Sequence, residues 1–158
     1  MGYAEMTAIQ AQSLPLTLAG EDVIAKAKTG SGKTAAFGLG MLHKLDVKKW
    51  KIQGLIMCPT RELADEVTKE IRQLARAIPL TKFLTLCGGP PMQPQLASLE
   101  HQPHIVVGTP GRILKHLKKE GFITVKTTGQ RSKSIFEITL EGENELLVMI
   151  NRMVTKTL

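Results

Sequence analysis

Residues 28–34 read K-T-G-S-G-K-T, a run of residue types that can hold phosphate. Gly30 and Gly32 allow the backbone to turn so that its N–H groups point at phosphate oxygens. Lys33 would neutralise the β- and γ-phosphates of a nucleotide, and the Thr34 hydroxyl would be a ligand of Mg²⁺. We therefore expect a nucleotide-phosphate loop here, with a flexible Gly/Ser loop as the alternative.

The segments on either side of this loop predict the elements that would position it. Residues 22–27, D-V-I-A-K-A, predict a short strand. Residues 33–45 have helical spacing, since Phe37, Met41 and Leu45 fall on one face. The N-terminus of such a helix carries a partial positive charge that faces a bound anion. A strand before the loop and a helix after it favour nucleotide binding over a plain flexible loop.

Three further predicted strands end in residues that suit an anion. P-T-R-E-L follows the apolar run 54–58, G-G follows the run 82–87, and T-P-G-R follows the run 104–108. Strands and helices alternate, which predicts an open, mostly parallel α/β sheet with helices on both faces. The strand-to-helix loops of such a sheet lie at one edge, where ligands bind. Each segment alone would be a capped helix start, but together they predict a surface for a phosphodiester backbone.

The remaining elements follow from caps and apolar spacing. Thr7 is predicted to cap a helix from residue 8, with Pro15 starting a further turn that ends at Gly20. The clearest helix, 61–78, has an apolar stripe of Leu63, Val67, Ile71, Leu74 and Ile78. Other predicted elements are helices at 94–100 and 111–119, a polar connection at 127–134, a strand at 135–140 and a last helix with Leu147, Ile150 and Val154 on one side.

Composition narrows the class of protein. The 158 residues make about one domain. The net charge of +7 suits a polyanionic partner such as nucleic acid, and charge alone leaves a solvated basic surface with no partner as an equal alternative. Four Phe, one Tyr and one Trp are too few for a base-stacking platform, so a nucleic acid would be bound by its backbone. Cys58 and Cys87 have no metal-ligand spacing and are predicted to be reduced, partly buried thiols. Without a membrane-spanning run or secretory signal, we expect a cytoplasmic protein with no membrane partner.

On these residues the chain resembles the first RecA-like domain of the DEAD-box RNA helicases, over about residues 2–119. G-Y-A-E-M-T-A-I-Q resembles the family's Q motif, A-K-T-G-S-G-K-T motif I, P-T-R-E-L motif Ia, G-G the GG motif and T-P-G-R motif Ib. The finer pattern is similar to the bacterial branch that acts in ribosome assembly. The resemblance implies a RecA-like P-loop fold, the cofactors ATP and Mg²⁺, and RNA as partner, bound without base specificity in this domain. The implied parent activity, ATP-driven local RNA unwinding, would need a second RecA-like domain.

The resemblance also implies roles for individual residues. Gln10 would read the adenine edge, with Thr7 assisting, and Lys33 and Thr34 would be the catalytic candidates, Thr34 through Mg²⁺. The nucleotide-binding candidates are Thr7, Gln10, Ala27, Lys28, Thr29, Gly30, Ser31, Gly32, Lys33 and Thr34. The RNA-binding candidates are Pro59, Thr60, Arg61, Gly88, Gly89, Thr109, Pro110, Gly111 and Arg112.

The family pattern breaks after residue 120. The sequence contains no D-E-A-D, whose carboxylates would hold Mg²⁺ and orient the attacking water in the family. One alignment places Glu141 and Gly142 at these positions, and the alternative is a divergent or unrelated tail over 121–158 behind a domain of 1–120. Under either alignment no carboxylate is placed to activate water, so we expect no hydrolysis by this chain.

Three functions compete at this point. The first is an incomplete helicase ATP-binding domain, and the second is a module that holds nucleotide, RNA or both without turnover. A small-molecule P-loop kinase is the third, but it would need a lid and a substrate pocket in place of P-T-R-E-L and T-P-G-R. The missing central strands of the family fold predict uncovered apolar strand surface in this chain.

Overall fold

The computed structural model describes residues 5–119, 123–127 and 134–138. The helices are α1 (Ala8–Ala19), α2 (Lys33–His43), α3 (Arg61–Leu74), α4 (Met92–Glu100) and α5 (Pro110–Lys119). The strands are β1 (Gly54–Met57), β2 (Phe83–Leu86), β3 (Ile105–Gly108), β4 (Ile123–Thr127) and β5 (Ser134–Ile138). Every helix predicted before residue 120 is therefore present, with ends within a few residues of the prediction.

Three strands form a parallel sheet in the order β1-β3-β2. In the register of this sheet Ile56 and Thr85 both lie opposite Val107 of the central strand. Because all three strands run the same way, their carboxyl ends meet at one edge. This confirms the predicted parallel α/β sheet and places P-T-R-E-L, G-G and T-P-G-R at that edge.

The central strand β3 is buried on both faces. Ile105 and Val107 pack in a cluster with Ile71 of α3 and Leu42 of α2. Val106 points the other way and packs with Ile113 of α5. Such two-sided burial explains why the strand is a continuous apolar run instead of an alternating one.

Helix α3 shows why local signals worked well in this part of the chain. The Thr60 hydroxyl accepts a hydrogen bond from the Leu63 N–H (3.2 Å) and caps the first turn. Val67, Ile71 and Leu74 of the predicted stripe are buried, whereas Leu63 is exposed. The regular helix ends at Leu74, and a short 3₁₀ turn continues it. The predicted stripe was therefore wrong at its first residue, which lies in the capped turn beyond the sheet.

The predicted strand at 22–27 is wrong. The segment has no ladder partner within the described part of the chain, and Ile24 is 84 % exposed. A strand exists only where a neighbour accepts and donates its backbone hydrogen bonds, and this cannot be read from the segment itself.

The region after residue 120 also differs from the prediction. β4 was not predicted, and it pairs with β5 in an antiparallel hairpin instead of extending the parallel sheet. The predicted strand at 135–140 is present as β5. The predicted last helix and the alignment over 138–149 lie largely outside the described residues, as does most of the predicted connection at 127–134.

Two further observations concern the class of protein. Within the described ranges, no helix combines the length and the apolar character needed to cross a membrane. Cys58 and Cys87 are both buried as free thiols, as the spacing of the cysteines predicted.

The close approach of β2 and β3 gives a test of the sheet. A Cβ at Gly108 would overlap the carbonyl oxygen of Leu86, which accepts a hydrogen bond from the Thr109 N–H (3.0 Å). We expect Gly108→Ala to lower the free energy of unfolding by about 2 kcal/mol or more, measured by urea denaturation. Gly111→Ala is the matched control, because a Cβ there meets nothing within 4 Å. Equal stability of the two variants would contradict the described packing.

Candidate nucleotide and nucleic-acid site

The phosphate loop turns at two glycines and leads directly into α2. Gly30 and Gly32 have φ values of +77° and +84°, a region that side chains other than glycine rarely enter. Gly32 is also the N-cap of α2 and provides no side-chain cap. The first turn of α2 therefore presents backbone N–H groups to the loop, as an anion site requires.

The helix that follows the phosphate loop packs beside the sheet. Met41, near the end of α2, lies against Gly54 at the start of β1.

Lys33 is turned back across its own loop. Its Nζ donates hydrogen bonds to the carbonyl oxygens of Ala27 and Lys28, both at 2.6 Å. These acceptors are neutral, so they hold the ammonium group in place without cancelling its charge. Lys33 and Thr34 are both partly buried at the start of α2.

The N-terminus of α1 is tied to the same loop. Thr7 and Gln10 form a reciprocal capping box, in which the Thr7 N–H donates to Gln10 Oε1 at 3.0 Å. The Thr7 hydroxyl then donates to the carbonyl of Ser31 (2.8 Å), and Gln10 Nε2 donates to the carbonyl of Gly32 (3.2 Å). The structure thus brings Thr7 and Gln10 onto the phosphate loop; the adenine-reading role of Gln10 stays a prediction.

Two features of the loop fit a phosphate. The Ser31 hydroxyl oxygen is buried without a hydrogen-bond partner among the described residues. A Cβ at Gly32 would overlap the Gln10 amide, so only glycine allows this close approach. A buried hydroxyl beside open backbone N–H groups suits an incoming anionic oxygen.

Arg61 reaches from the start of α3 to the glycine loop after β2. Its Nη1 donates to the carbonyl oxygen of Gly88 at 3.2 Å. Gly89 has a φ of +102°, and a Cβ there would overlap the Arg61 guanidinium. Both glycines predicted from the sequence therefore lie against Arg61.

Arg112 holds the other side of the same loop. Its Nη2 donates to the carbonyl of Pro90 (3.0 Å), and its Nη1 donates to Gln95 Oε1 (3.2 Å). Thr109 closes the first turn of α5, because its carbonyl accepts from the Arg112 N–H at 3.1 Å. The glycine loop therefore lies between two arginines that come from different strand ends.

Gln95 is a residue of this site that sequence reasoning missed. It is buried, and its Nε2 donates to the carbonyl of Cys87 at 3.1 Å while its Oε1 also meets His116 Nε2 at 3.3 Å. The sequence signal that could have indicated Gln95 was its position one turn before Leu99. This position puts a polar residue on the inner side of a short helix. Its partners are Cys87, which follows β2, and Arg112 and His116 of α5, so only the tertiary structure reveals them.

The pKa values of the two thiols at this edge are raised. Burial, with a smaller contribution from Cys87, raises the pKa of Cys58 to about 11. Burial also raises the pKa of Cys87. Both thiols therefore stay protonated near neutral pH.

Comparison with known proteins identifies the family and the fold of the chain. The model of the DEAD/DEAH box helicase family matches residues 7–133. The chain belongs to this family. A solved DEAD box protein from Methanococcus jannaschii is 40 % identical with a TM-score of 0.70, covering 75 % of this chain and 32 % of that one. This similarity confirms the predicted RecA-like α/β fold.

Two curated relatives show how much of a family member is present. ATP-dependent RNA helicase DbpA of Escherichia coli (strain K12) is 60 % identical over 119 residues, which are 75 % of this chain and 26 % of the relative. DEAD-box ATP-dependent RNA helicase CshA of Bacillus cereus is 40 % identical over 149 residues, 94 % of this chain and 27 % of the relative. The chain thus spans about a quarter of the length of these relatives.

The buried thiol predicts a pH dependence of stability. The folded-state pKa of Cys58 is raised from 9.0 to about 11, so its contribution is complete below pH 9 and is lost as pH rises towards 11. We expect the stability difference between the wild-type chain and Cys58→Ala to shrink across that window. Urea denaturation of both proteins between pH 8 and about 11 measures this difference, in which lysine titration cancels. A difference that stays constant with pH would show that the thiol is not buried.

Proposed function

We propose that this chain is the ATP-binding and RNA-backbone-binding part of an ATP-dependent RNA helicase. The parent activity would be RNA-stimulated ATP hydrolysis with local duplex unwinding. One observation carries the proposal: Arg61 and Arg112 lie on either side of the glycine loop at the carboxyl edge of the sheet. The phosphate loop, which Thr7 and Gln10 hold in place, supports the nucleotide half of the proposal. The names of the relatives, which are ATP-dependent RNA helicases, support it.

On ATP binding, Lys33 would exchange its neutral hydrogen-bond acceptors for phosphate oxygens. Lys33 Nζ would leave the carbonyls of Ala27 and Lys28 for the β- and γ-phosphates, and the N-terminus of α2 would bind phosphate oxygens. The Thr34 hydroxyl would be a ligand of Mg²⁺, which neutralises phosphate charge when bound. Because Gln10 and Thr7 already contact the loop, adenine binding at Gln10 would be linked to loop geometry.

RNA binding would use the other half of the edge. Arg61 and Arg112 flank the glycine loop, while Thr60 and Thr109 start helices α3 and α5 beside them. Guanidinium groups and helix N-termini bind phosphate oxygens without reading base sequence. We therefore infer contacts to the RNA backbone, with no base specificity in this part of the protein.

On the question of whether this chain hydrolyses ATP, a second proposal is favoured over the first. The sequence has no D-E-A-D, whose carboxylates would hold Mg²⁺ and orient the attacking water in the family. This departure from the family pattern favours a module that binds nucleotide and RNA without hydrolysis. In this reading residues 1–120 are the RecA-like part, residues 121–158 are a divergent tail, and unwinding would need a second RecA-like domain.

Nucleotide binding tests the first half of the proposal. Lys33→Ala is expected to weaken ATP–Mg²⁺ binding by at least about tenfold, because a charge-assisted contact to phosphate is lost. Isothermal titration calorimetry on the 158-residue chain measures this effect. Lys26→Ala removes an equal charge from an exposed position just before the loop, and it should leave the affinity unchanged. Equal ATP affinity in the two variants would overturn the nucleotide assignment.

Single-turnover hydrolysis of ATP, with and without RNA, separates the two proposals. RNA-stimulated turnover that Lys33→Ala abolishes would support the helicase enzyme and exclude the module without hydrolysis. ATP bound at the loop with no turnover would support the second proposal.

Salt dependence tests the RNA half. Arg61→Ala and Arg112→Ala should each weaken binding of a short single-stranded RNA and lower the slope of log affinity against log salt by about 0.7. Fluorescence anisotropy with two RNAs of unrelated sequence measures both slope and specificity. Arg76→Ala, on the exposed end of the 3₁₀ turn after α3, is the control and should leave the slope unchanged. A strong preference for one RNA sequence would contradict backbone recognition.

A further inference from the structure

We propose that Gln95 is a positioning residue that orients the Arg112 guanidinium towards an RNA phosphate. This inference rests on the proposed RNA-binding function and adds a residue outside the P-T-R-E-L, G-G and T-P-G-R segments. Gln95 lies on α4, and its side chain joins Cys87, which follows β2, to Arg112 and His116 of α5.

The orientation of the Gln95 amide follows from the chemistry of its partners. The Cys87 carbonyl can only accept a hydrogen bond, so the amide nitrogen must face it (3.1 Å). A guanidinium can only donate, so the amide oxygen must face Arg112 (3.2 Å). The side chain therefore links the end of β2 to the start of α5 in one defined orientation.

Two acceptors hold the plane of the Arg112 guanidinium. Nη1 donates to Gln95 Oε1, and Nη2 donates to the carbonyl of Pro90. A guanidinium has five N–H donors, so three remain for a phosphate. Since both acceptors are neutral, the full positive charge is kept for an anionic ligand. A guanidinium that is already held in one orientation loses less side-chain entropy on binding a phosphate than a freely rotating one.

His116 strengthens the same link. Arg112 and His116 are four residues apart on α5 and therefore lie on one face of the helix. Because Gln95 Oε1 only accepts, His116 Nε2 is the donor across 3.3 Å. Both Gln95 and His116 are buried, so loss of this acceptor would leave buried donors unsatisfied.

A double-mutant cycle on RNA binding tests the proposal. Gln95→Met keeps the size of the side chain and removes the acceptor. We expect it to weaken RNA binding about three- to tenfold in the wild-type background, and to have no further effect in Arg112→Ala. Gln93→Met, at an exposed position on the same helix, is the matched control and should leave the RNA affinity of each background unchanged. Equal losses in the two backgrounds would mean that Gln95 acts on stability alone, which would overturn the inference.

Nitrogen NMR of the arginine side chains tests the positioning without RNA. Rotation of the Arg112 guanidinium should be slower than that of exposed Arg76 in the wild-type chain. Gln95→Met should free it, whereas Gln95→Glu, which keeps an acceptor oxygen, should leave it slow. If Arg112 in the wild-type chain rotates as fast as Arg76, the inference is wrong, and this result needs no variant to fold.

The two proposals fail in different ways. Slow rotation of Arg112 in a wild-type chain that binds no RNA would overturn the proposed function. It would also remove the RNA phosphate as the group towards which Arg112 is oriented. A chain that binds RNA through Arg112, with Arg112 free to rotate, would overturn the inference alone.

Discussion

The parallel pairing of β3 with both β1 and β2 is the constraint on which the site depends. Because β3 lies in the centre, its carboxyl end and those of its neighbours are brought together at one edge. Gly108 ends the strand at a point where any side chain would overlap Leu86. The glycine loop after β2 and the helix that carries Arg112 can therefore approach closely enough to share hydrogen bonds. Without this pairing, Arg61, Gly88 and Arg112 would be unrelated surface residues.

The cations of this edge share one electrostatic feature. The acceptors that the structure shows for Lys33, Arg61 and Arg112 are backbone carbonyls and one side-chain amide. A carboxylate partner would hold each side chain more strongly, but it would also cancel the charge that an anion must find. Neutral acceptors restrict the side chains and leave the charge available. Such an edge is suited to bind and release polyphosphate and phosphodiester groups.

Local sequence signals were enough to predict most helices and strands. The features that were mispredicted or missed depend on tertiary contacts. Thr60 at a helix start and the apolar run at β3 were enough to predict α3 and a buried parallel strand. The strand at 22–27 failed because its hydrogen bonds would have to come from a distant segment. Gln95 was missed for the same reason, since its meaning depends on Cys87 and Arg112, which lie 8 and 17 residues away along the chain. Glycines with positive φ in the phosphate loop were predictable because the pattern itself requires the turn.

Binding and turnover place different demands on this fold. Holding a phosphate needs N–H groups, a cation and a close backbone approach, all of which come from a loop, a helix start and Lys33. Turnover also needs a carboxylate that orients water, and a carboxylate near phosphate is repelled unless a metal ion lies between them. The hydrogen bonds that the structure gives for the phosphate loop come from the Thr7 hydroxyl, the Gln10 amide and the Lys33 ammonium group. These groups hold the loop in place without the carboxylate that turnover would need. The proposed nucleotide binding therefore does not require the groups that hydrolysis would need.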